Sequence, residues 1–360
     1  MTRLDPAVFG LPVERLRDGY YSDAYFNHTK ALLEMEDRHA HVVMQVFQKK
    51  DALLGGIDEA IAVLRLASGR RTADGTWASG WDGLVVHALD EGDRIAPGET
   101  VLTIEGDYLL FAHLETAYLG CMGRRSLIMT NVDAVVAAAA GKPVLFFAAR
   151  RDHWLMQAGD GWAAHVAGGI GVSTNAQASW WGGAGVGTVP HGLIAAYGGD
   201  TVAAARAFAG RYAETMNVTV LVDFDNDSVG TAVAVADALG PRLWGVRLDT
   251  SESLVDRALE DVAGDVRGRR GVTPELAVRV RAALDAAGHR EVQIVASGGF
   301  DAARIAEFEA AGAPIDAYGV GSSLMAGSVD FTADVVRVNG RPCAKVGRAE
   351  RPNPRLVRCA

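Results

Sequence analysis

The second half of the chain alternates short apolar strands with helical segments, and this alternation constrains the fold more than any other feature. Continuous apolar runs are typical of parallel strands, because helices cover both faces of a parallel sheet. Each apolar run is followed by a segment with helical spacing. The predicted strands are PVLFFAA (143–149), VLVDF (220–224), LWGVRL (243–248), VQIVA (292–296) and AYGV (317–320).

Polar residues or glycines stand at the carboxyl ends of these strands. In a (β/α) barrel the functional groups lie at this end, because the strand-to-helix loops meet there. The pattern therefore predicts an α/β barrel whose site lies at one rim. The residues that mark the rim are Arg150, Asp223, Arg247, Asp249, Ser297 and Gly321.

The regions on either side of the predicted barrel have a different texture. Residues 83–106 contain short β-branched runs broken by Glu-Gly-Asp and Pro-Gly-Glu turns, which resemble half of a lipoyl-type sandwich. No lysine stands at the predicted hairpin tip, so a structural module is favoured over a carrier. We expect an N-terminal α+β sandwich domain over 1–115, the barrel over 116–328, and a segment over 329–360 that returns to the first domain.

Charge and composition exclude several classes of protein. The chain has 35 Lys and Arg against 44 Asp and Glu, and a net charge of −9 argues against general nucleic-acid binding. Its three cysteines form no CxxC motif, which argues against a disulfide framework. The most apolar stretch, 132–149, is interrupted by charges and a proline, and no signal-peptide pattern opens the chain. We expect a cytoplasmic protein without a membrane or nucleic-acid partner.

Two glycine-rich junctions follow the last two predicted strands. Ser297-Gly298-Gly299 precedes one helix, and Gly319-Val320-Gly321-Ser322 stands about twenty residues later. Backbone N–H groups at such junctions and the positive end of a helix favour a phosphate. The last two loops of a barrel are also its usual phosphate site. The sequence therefore predicts phosphate binding here.

Arg247 and Asp249 lie two residues apart, so both side chains project from the same face of their strand. Such a pair suits a substrate that carries hydroxyls and negative charge. The alternative is a buried structural ion pair.

Two further groups could carry chemistry. Asp223, Asp225 and Asp227 crowd one strand end, where they could hold Mg²⁺, orient a histidine, or form a solvated turn. His191 lies in the glycine-bounded turn GTVPHG and is a candidate proton shuttle or phosphoryl acceptor.

Aromatic rings and guanidinium groups meet at the end of the 143–149 strand. Phe147 could stack on a flat heterocycle, while Arg150 or Arg151 takes a carboxylate. The alternative is a core phenylalanine with solvent-exposed arginines.

Taken together, these motifs resemble the nicotinate phosphoribosyltransferase family, the type II phosphoribosyltransferases. The resemblance extends from Tyr20 to Arg348, and its most specific pieces are GTVPH (187–191), RLDT (247–250), ASGG (296–299) and GVGS (319–322). It implies a type II phosphoribosyltransferase-like α/β barrel. It also implies transfer of ribose 5-phosphate from phosphoribosyl pyrophosphate to nicotinic acid, which gives nicotinate mononucleotide and pyrophosphate in NAD biosynthesis.

The resemblance also implies roles for individual residues. Asp249 would bind the ribose hydroxyls, and Phe147 would stack on the pyridine ring opposite Tyr25 from a second subunit. Arg150 and Arg247 would neutralise the carboxylate or phosphate, and Ser173 would lie beside the base and help to set the preference for acid or amide. The 5-phosphate would be held by Ser297, Gly298, Gly299, Gly319, Gly321 and Ser322.

His191 matches the phosphorylatable histidine of the family, with Asp223 as its support, which implies ATP as a co-substrate. The chemistry of the family also implies Mg²⁺ as a cofactor that stabilises the leaving pyrophosphate. Asn226 stands where the familiar pattern has an aspartate, which puts the ATP-coupled step in question. The shared active site implies a homodimer or a higher homo-oligomer.

Three alternatives stay open. A quinolinate phosphoribosyltransferase would need more cationic groups and an Arg-Lys-Thr element, which the chain lacks. A nicotinamide phosphoribosyltransferase is the next alternative. A non-catalytic phosphate- or nucleotide-sensing module on the same fold is the third.

Overall fold

A computed structural model describes residues 3–261 and 266–359 of the chain. The described residues contain sixteen strands and eleven α-helices. The strands are β1 (His41–Gln48), β2 (Ala52–Leu53), β3 (Gly69–Arg71), β4 (Trp77–Ser79), β5 (Val85–Ala88), β6 (Arg94–Ile95), β7 (Thr100–Asp107), β8 (Val144–Phe146), β9 (Gly171–Val172), β10 (Thr219–Leu221), β11 (Gly245–Leu248), β12 (Gln293–Ala296), β13 (Ala317–Val320), β14 (Phe331–Val338), β15 (Arg341–Pro342) and β16 (Val357–Arg358).

The helices connect and cover these strands. They are α1 (Val13–Arg17), α2 (Ala24–Met35), α3 (Ile57–Ala67), α4 (Glu115–Ala138), α5 (Gln157–Val166), α6 (Asn175–Ala178), α7 (His191–Ala196), α8 (Thr201–Tyr212), α9 (Ser228–Leu239), α10 (Pro274–Ala286) and α11 (Ala302–Ala310). None of them in the described part of the chain combines the length and the apolar character that a membrane crossing requires.

Contacts divide the chain into two compact units, with the divisions after Thr130 and before Gly327. The first unit combines the N-terminal and C-terminal parts of the chain. The predicted boundary at residue 116 coincides with the start of α4, but the division falls within this helix, because its first turns pack into the core of the first unit. The C-terminal division falls within two residues of the predicted one.

The first unit is built on an antiparallel sheet in the order β15-β14-β1-β7-β5-β16. Alternate residues of β1, namely Val42, Met44 and Val46, face the same buried cluster, as the two-residue period of a strand requires. Helix α3 is buried along most of its length and packs into this cluster. The segment that follows residue 330 thus supplies β14, which pairs with the central strand β1.

The second unit is built on a parallel sheet in the order β10-β11-β12-β13-β8-β9. A short segment, 186–189, joins its two edges. The Val186 N–H donates to the Val172 carbonyl in β9 (2.7 Å), and the Val189 N–H donates to the Thr219 carbonyl in β10 (2.8 Å). These bonds close the sheet into a barrel, which confirms the predicted α/β barrel.

The predicted strands are all present: β13 spans the whole of its predicted run, whereas the other four strands are shorter than theirs. Strand β8 ends at Phe146, and Ala149–Arg151 forms a turn of 3₁₀-helix instead of continuing the strand. Strand β10 ends at Leu221, before Asp223. These two apolar runs extend beyond their strands because Ala148 and Val222, which follow the strand ends, are still buried.

Several helices of the second unit have a side chain that caps their first turn. Helices α8, α9, α10 and α11 each begin after a residue whose side chain accepts a hydrogen bond from a backbone N–H of the first turn, which stabilises the helix start. These N-cap residues are Asp200, Asp227, Thr273 and Asp301.

Candidate active site

Two adjoining cavities lie at the carboxyl end of the barrel strands. The larger has a volume of about 420 Å³ and the smaller about 110 Å³. Both are walled by residues of the second unit. The residues that line both are Phe147, Arg150, Arg247 and Asp249. The parallel register brings these strand ends to one rim, as predicted.

Arg247 holds a central position between the cavities. Its Nε–H donates to Ser297 Oγ (2.8 Å), Nη1–H to Thr188 Oγ1 (3.3 Å) and Nη2–H to Asp249 Oδ2 (3.1 Å). Burial lowers the pKa of Arg247, while the charges of Asp249 and Asp223 act in the opposite direction. The ion pair considered as a structural alternative does form, and it also faces both cavities.

The smaller cavity is bounded by the two glycine-rich junctions. It is lined by Ser297, Gly298 and Gly299 after β12 and by Gly319, Gly321 and Ser322 at and after the end of β13. Gly298 and Gly299 adopt positive φ angles of 88° and 70°, and a Cβ on Gly298 would lie 3.1 Å from Asp249 Oδ1. Glycine is therefore needed here for both conformation and space.

Ser297 links this junction to β11. Its hydroxyl lies 3.0 Å from the Leu248 carbonyl and 2.9 Å from Asp249 Oδ1, and it accepts from Arg247. Because Ser297 is buried, this network fixes the position of Asp249 relative to the glycine loop.

His191 and Asp223 form a pair at the rim. His191 Nε2 lies 2.9 Å from Asp223 Oδ1, with the histidine half-exposed and the aspartate buried. The hydrogen bond to Asp223 raises the pKa of His191. Because Nε2 is engaged, Nδ1 is the ring nitrogen left for other chemistry, and His191 itself lines the larger cavity.

The three aspartates after β10 do not form one cluster. Asp223 contacts His191, whereas Asp227 caps α9 by accepting from the Gly230 N–H (3.0 Å). Asp225 lines a separate depression together with Asp227. Over residues 3–261 and 266–359, no group of three or more His, Cys, Asp or Glu side chains is placed to hold a metal ion. Of the alternatives considered for these aspartates, Asp223 is the one that orients the histidine, whereas Asp227 is engaged in capping α9.

The base-side candidates line the larger cavity. Ser173 follows β9 and donates from Oγ to the Phe146 carbonyl (3.2 Å). Arg150 lines both cavities, whereas Arg151 lines only the smaller one. Phe147 is not a simple core residue, because its ring borders both cavities and carries the Arg247 guanidinium 4.9 Å from its centroid.

Tyr25 belongs to the other unit. It lies in α2 and is 60% exposed, beside Phe26. Its role as a contribution from a second subunit stays a prediction.

Two residues of the site were missed at the sequence level. Thr188 contacts Arg247 and lines the larger cavity, although its motif was noted only for His191. Gln177 is buried and accepts from the backbone N–H groups of Ser173 (2.9 Å) and Thr174 (3.2 Å). The spacing Thr174-x-x-Gln177 is a capping-box signature that could have revealed it.

Comparisons with known proteins agree with this arrangement. The family model described as quinolinate phosphoribosyl transferase, N-terminal domain, matches residues 23–126. Nicotinate phosphoribosyltransferase pncB1 of Mycobacterium tuberculosis is 33% identical over 264 residues, which are 71% of this chain and 54% of that protein. The chain thus spans about half the length of the curated relatives it matches.

Solved structures extend the likeness over nearly the whole chain. The crystal structure of nicotinate-nucleotide pyrophosphorylase from Pyrococcus furiosus is 34% identical, with a TM-score of 0.80 over 95% of this chain and 81% of that chain. Human nicotinic acid phosphoribosyltransferase has a TM-score of 0.64 at 18% identity, over 90% of this chain and 76% of that chain, and it shares the fold. From this similarity and the rim geometry, the chain belongs to the type II phosphoribosyltransferases, the family of its relatives named nicotinate-nucleotide pyrophosphorylase and nicotinate phosphoribosyltransferase.

Proposed function

We propose that this protein transfers ribose 5-phosphate from phosphoribosyl pyrophosphate to nicotinic acid, releasing pyrophosphate and forming nicotinate mononucleotide for NAD biosynthesis. One observation carries the proposal: a small glycine-lined cavity and a larger aromatic cavity adjoin, and Arg247 and Asp249 border both. A phosphorylated sugar that spans the two cavities would place its reactive carbon between them.

The smaller cavity suits the 5-phosphate. Its walls combine glycine backbone with the hydroxyls of Ser297 and Ser322, and with Arg150, Arg151 and Arg247. Guanidinium groups pair with phosphate oxygens, and loop N–H groups add donors without side-chain bulk. This chemistry is the same whether the phosphate belongs to the donor substrate or to the nucleotide product.

The larger cavity suits the acceptor base. Phe147 offers an aromatic wall, Ser173 offers a hydroxyl, and Arg150 offers a cation for the carboxylate. Stacking and a charge-assisted hydrogen bond together would orient the ring nitrogen towards the sugar.

Asp249 stands where positive charge develops. As pyrophosphate leaves, the anomeric carbon gains oxocarbenium character, and a fixed carboxylate stabilises that charge. Ser297 and Arg247 hold the Asp249 carboxylate in place before substrate binds, so little reorganisation is needed during the reaction. The same carboxylate would accept hydrogen bonds from the ribose hydroxyls.

His191 and Asp223 provide the means for an ATP-coupled step. Asp223 holds the ring through Nε2, so that Nδ1 would accept the phosphoryl group. ATP as a co-substrate is part of this proposal.

Among the described residues, the site offers one protein carboxylate to Mg²⁺. Asp249 is the carboxylate that borders both cavities, and the oxygens of the substrate would supply the other ligands, which suits a cation that prefers oxygen. When bound, Mg²⁺ would neutralise charge on the departing pyrophosphate.

The assembly and location are also proposed. Tyr25 is predicted to act from a second copy, which requires at least a homodimer. The acidic net charge argues against a nucleic-acid partner, and the cytoplasm is the proposed compartment.

The test is an assay of pyrophosphate release from phosphoribosyl pyrophosphate and Mg²⁺ with nicotinate, quinolinate or nicotinamide, each with and without ATP. We expect turnover with nicotinate. Quinolinate is the second candidate because the matching family model names that substrate. Turnover with quinolinate or nicotinamide alone would reject nicotinate, and tight phosphate binding without turnover would favour a sensing module.

A further inference from the structure

The ring of Phe147 meets the backbone of Gly319 edge-on. A Cβ placed on Gly319 would lie 2.5 Å from Cδ2 of the ring and closer still to Cε2. The next nearest heavy atom is Ser297 Cβ at 3.4 Å, so the remaining ring carbons are at least that far away. If a face of the ring covered Gly319, more of its carbons would come first. The Cδ2–Cε2 edge of Phe147 therefore rests against Gly319.

One face of the same ring is covered by Arg247. The guanidinium carbon lies 4.9 Å from the ring centroid, and three hydrogen bonds hold this guanidinium in place. The backbone of Phe147 is fixed too, because its N–H donates to the Val320 carbonyl (2.7 Å). A Cβ on Gly321 would lie 3.1 Å from the Phe147 carbonyl oxygen, so this glycine also permits close approach.

We propose that Gly319 is a positioning residue for the acceptor base, because its missing side chain seats the Phe147 ring edge-on and leaves the face opposite Arg247 for a flat aromatic acid. The inference rests on the proposed function and goes beyond a phosphate-binding role for Gly319. The ligand class is a planar heteroaromatic ring that carries a carboxylate, which Arg150 can reach from the same cavity.

A substitution at Gly319 can test the effect of side-chain volume alone. The backbone of this glycine lies outside the left-handed region, so an alanine is conformationally permitted and adds only a methyl group. That methyl would overlap the ring edge and force the ring to tilt out of its seat towards the cavity. Small shifts of a positioning group reduce rates by about 10²-fold.

The experiment measures steady-state kinetics for Gly319→Ala, Phe147→Leu and the double variant. We expect Gly319→Ala to raise KM for nicotinate about 10- to 100-fold, while KM for phosphoribosyl pyrophosphate changes less than about threefold. In the Phe147→Leu background the same alanine should have no further effect, because the ring edge is gone. Gly210→Ala is the matched control, since its Cβ would meet nothing within 4 Å.

Two outcomes would overturn the inference. One is a rise in KM confined to phosphoribosyl pyrophosphate, which would mean that Gly319 serves the phosphate. The other is that the losses from the two single substitutions multiply in the double variant, which would mean that they act independently.

Failure of the proposed function can be told apart from failure of this inference. If the wild type turns over none of the bases, the same four proteins are compared by their free energies of unfolding. We then expect Gly319→Ala to destabilise the chain with Phe147 present and to have no effect with leucine there. Equal destabilisation in both backgrounds would show that Gly319 does not make room for the Phe147 ring.

Discussion

In the first unit, the buried charged groups Glu91, Glu59 and Arg125 are bound to each other or to the backbone, whereas in the second unit Arg247 and Asp249 converge on a cavity. Glu91 is buried and accepts from the Gly56, Ile57 and Asp58 N–H groups at the start of α3. Arg247 and Asp249 are also largely buried, yet both border open space.

The contrast shows that a buried charged group in this chain can serve either folding or ligand binding, depending on whether it borders a cavity. Arg125 and Glu59 form an ion pair whose side chains are 8% and 11% exposed, within the first unit. Such a pair has no access to a ligand, so its contribution is to folding. Polar groups at the barrel rim keep unused hydrogen-bonding capacity, which is what a ligand needs. The following predictions test this division, beginning with the largest effect.

Asp249→Ala should reduce kcat/KM about 10³-fold, because the positive charge that develops on the sugar loses its fixed counter-charge. Steady-state kinetics of the folded protein measure the loss. Asp261→Ala is the matched control, because Asp261 also pairs with an arginine but is 75% exposed. Near-normal turnover of Asp249→Ala would contradict the assignment.

Arg125→Met should lower the free energy of unfolding by about 3 kcal/mol, because it leaves the Glu59 carboxylate buried without its partner. Urea titration measures the change. The kcat/KM of the folded fraction should stay within about twofold. Arg337→Met, which removes a more exposed pair with Glu350 in the same unit, should lower it by less than about 1 kcal/mol. Equal losses of unfolding free energy in the two variants would show that the buried ion pair contributes no more to folding than the exposed one.

Glu115→Gln should make stability less dependent on pH. Burial, with the nearby charges of Asp334 and Asp23, raises the pKa of Glu115 to about 7. The folded state therefore holds this proton more tightly than the unfolded state, and the associated stability is present below about pH 4.5 and lost as the pH rises through 7.

At pH 8 the Gln variant should therefore be more stable than the wild type by about 1–2 kcal/mol. Unfolding titrations at pH 5 and pH 8 measure this difference. A variant less stable than the wild type at pH 8 would show that the carboxylate makes a favourable contact.

His191→Ala should abolish the stimulation by ATP and reduce the basal rate by less than about tenfold. In the proposed mechanism Nδ1 of His191 accepts the phosphoryl group, whereas the basal reaction depends on Asp249. The assay compares turnover with and without ATP in both proteins. Stimulation that survives in the variant would exclude His191 as the acceptor.

The barrel could be predicted from the sequence because each of its main strands is a short apolar run within one segment of the chain. The two-residue period of a strand predicts that Arg247 and Asp249 share a face, and each glycine junction is visible in a few consecutive residues, so a single segment carries each signal. The meeting of these segments at one rim required only the rule that parallel strands share a carboxyl end.

Other features depend on contacts between distant segments. Strand β9 has two residues, and the 186–189 segment that closes the barrel has no apolar pattern of its own. The contact of Thr188 with Arg247 joins residues 59 positions apart. No local pattern specifies such pairs. The roles of Tyr25 and of the individual phosphate ligands stay predictions.

The pairing of β14 with β1 has a consequence for synthesis on the ribosome. About 290 residues separate the starts of these strands, and translation at about 5–20 residues per second needs on the order of 15–60 s to produce them. Within the second unit, the Asn131 side chain donates to the Ala326 carbonyl (2.9 Å), so the ends of the intervening stretch are neighbours. The nascent chain can thus complete its barrel before β14 is synthesised, and until then one hydrogen-bonding edge of β1 has no partner strand.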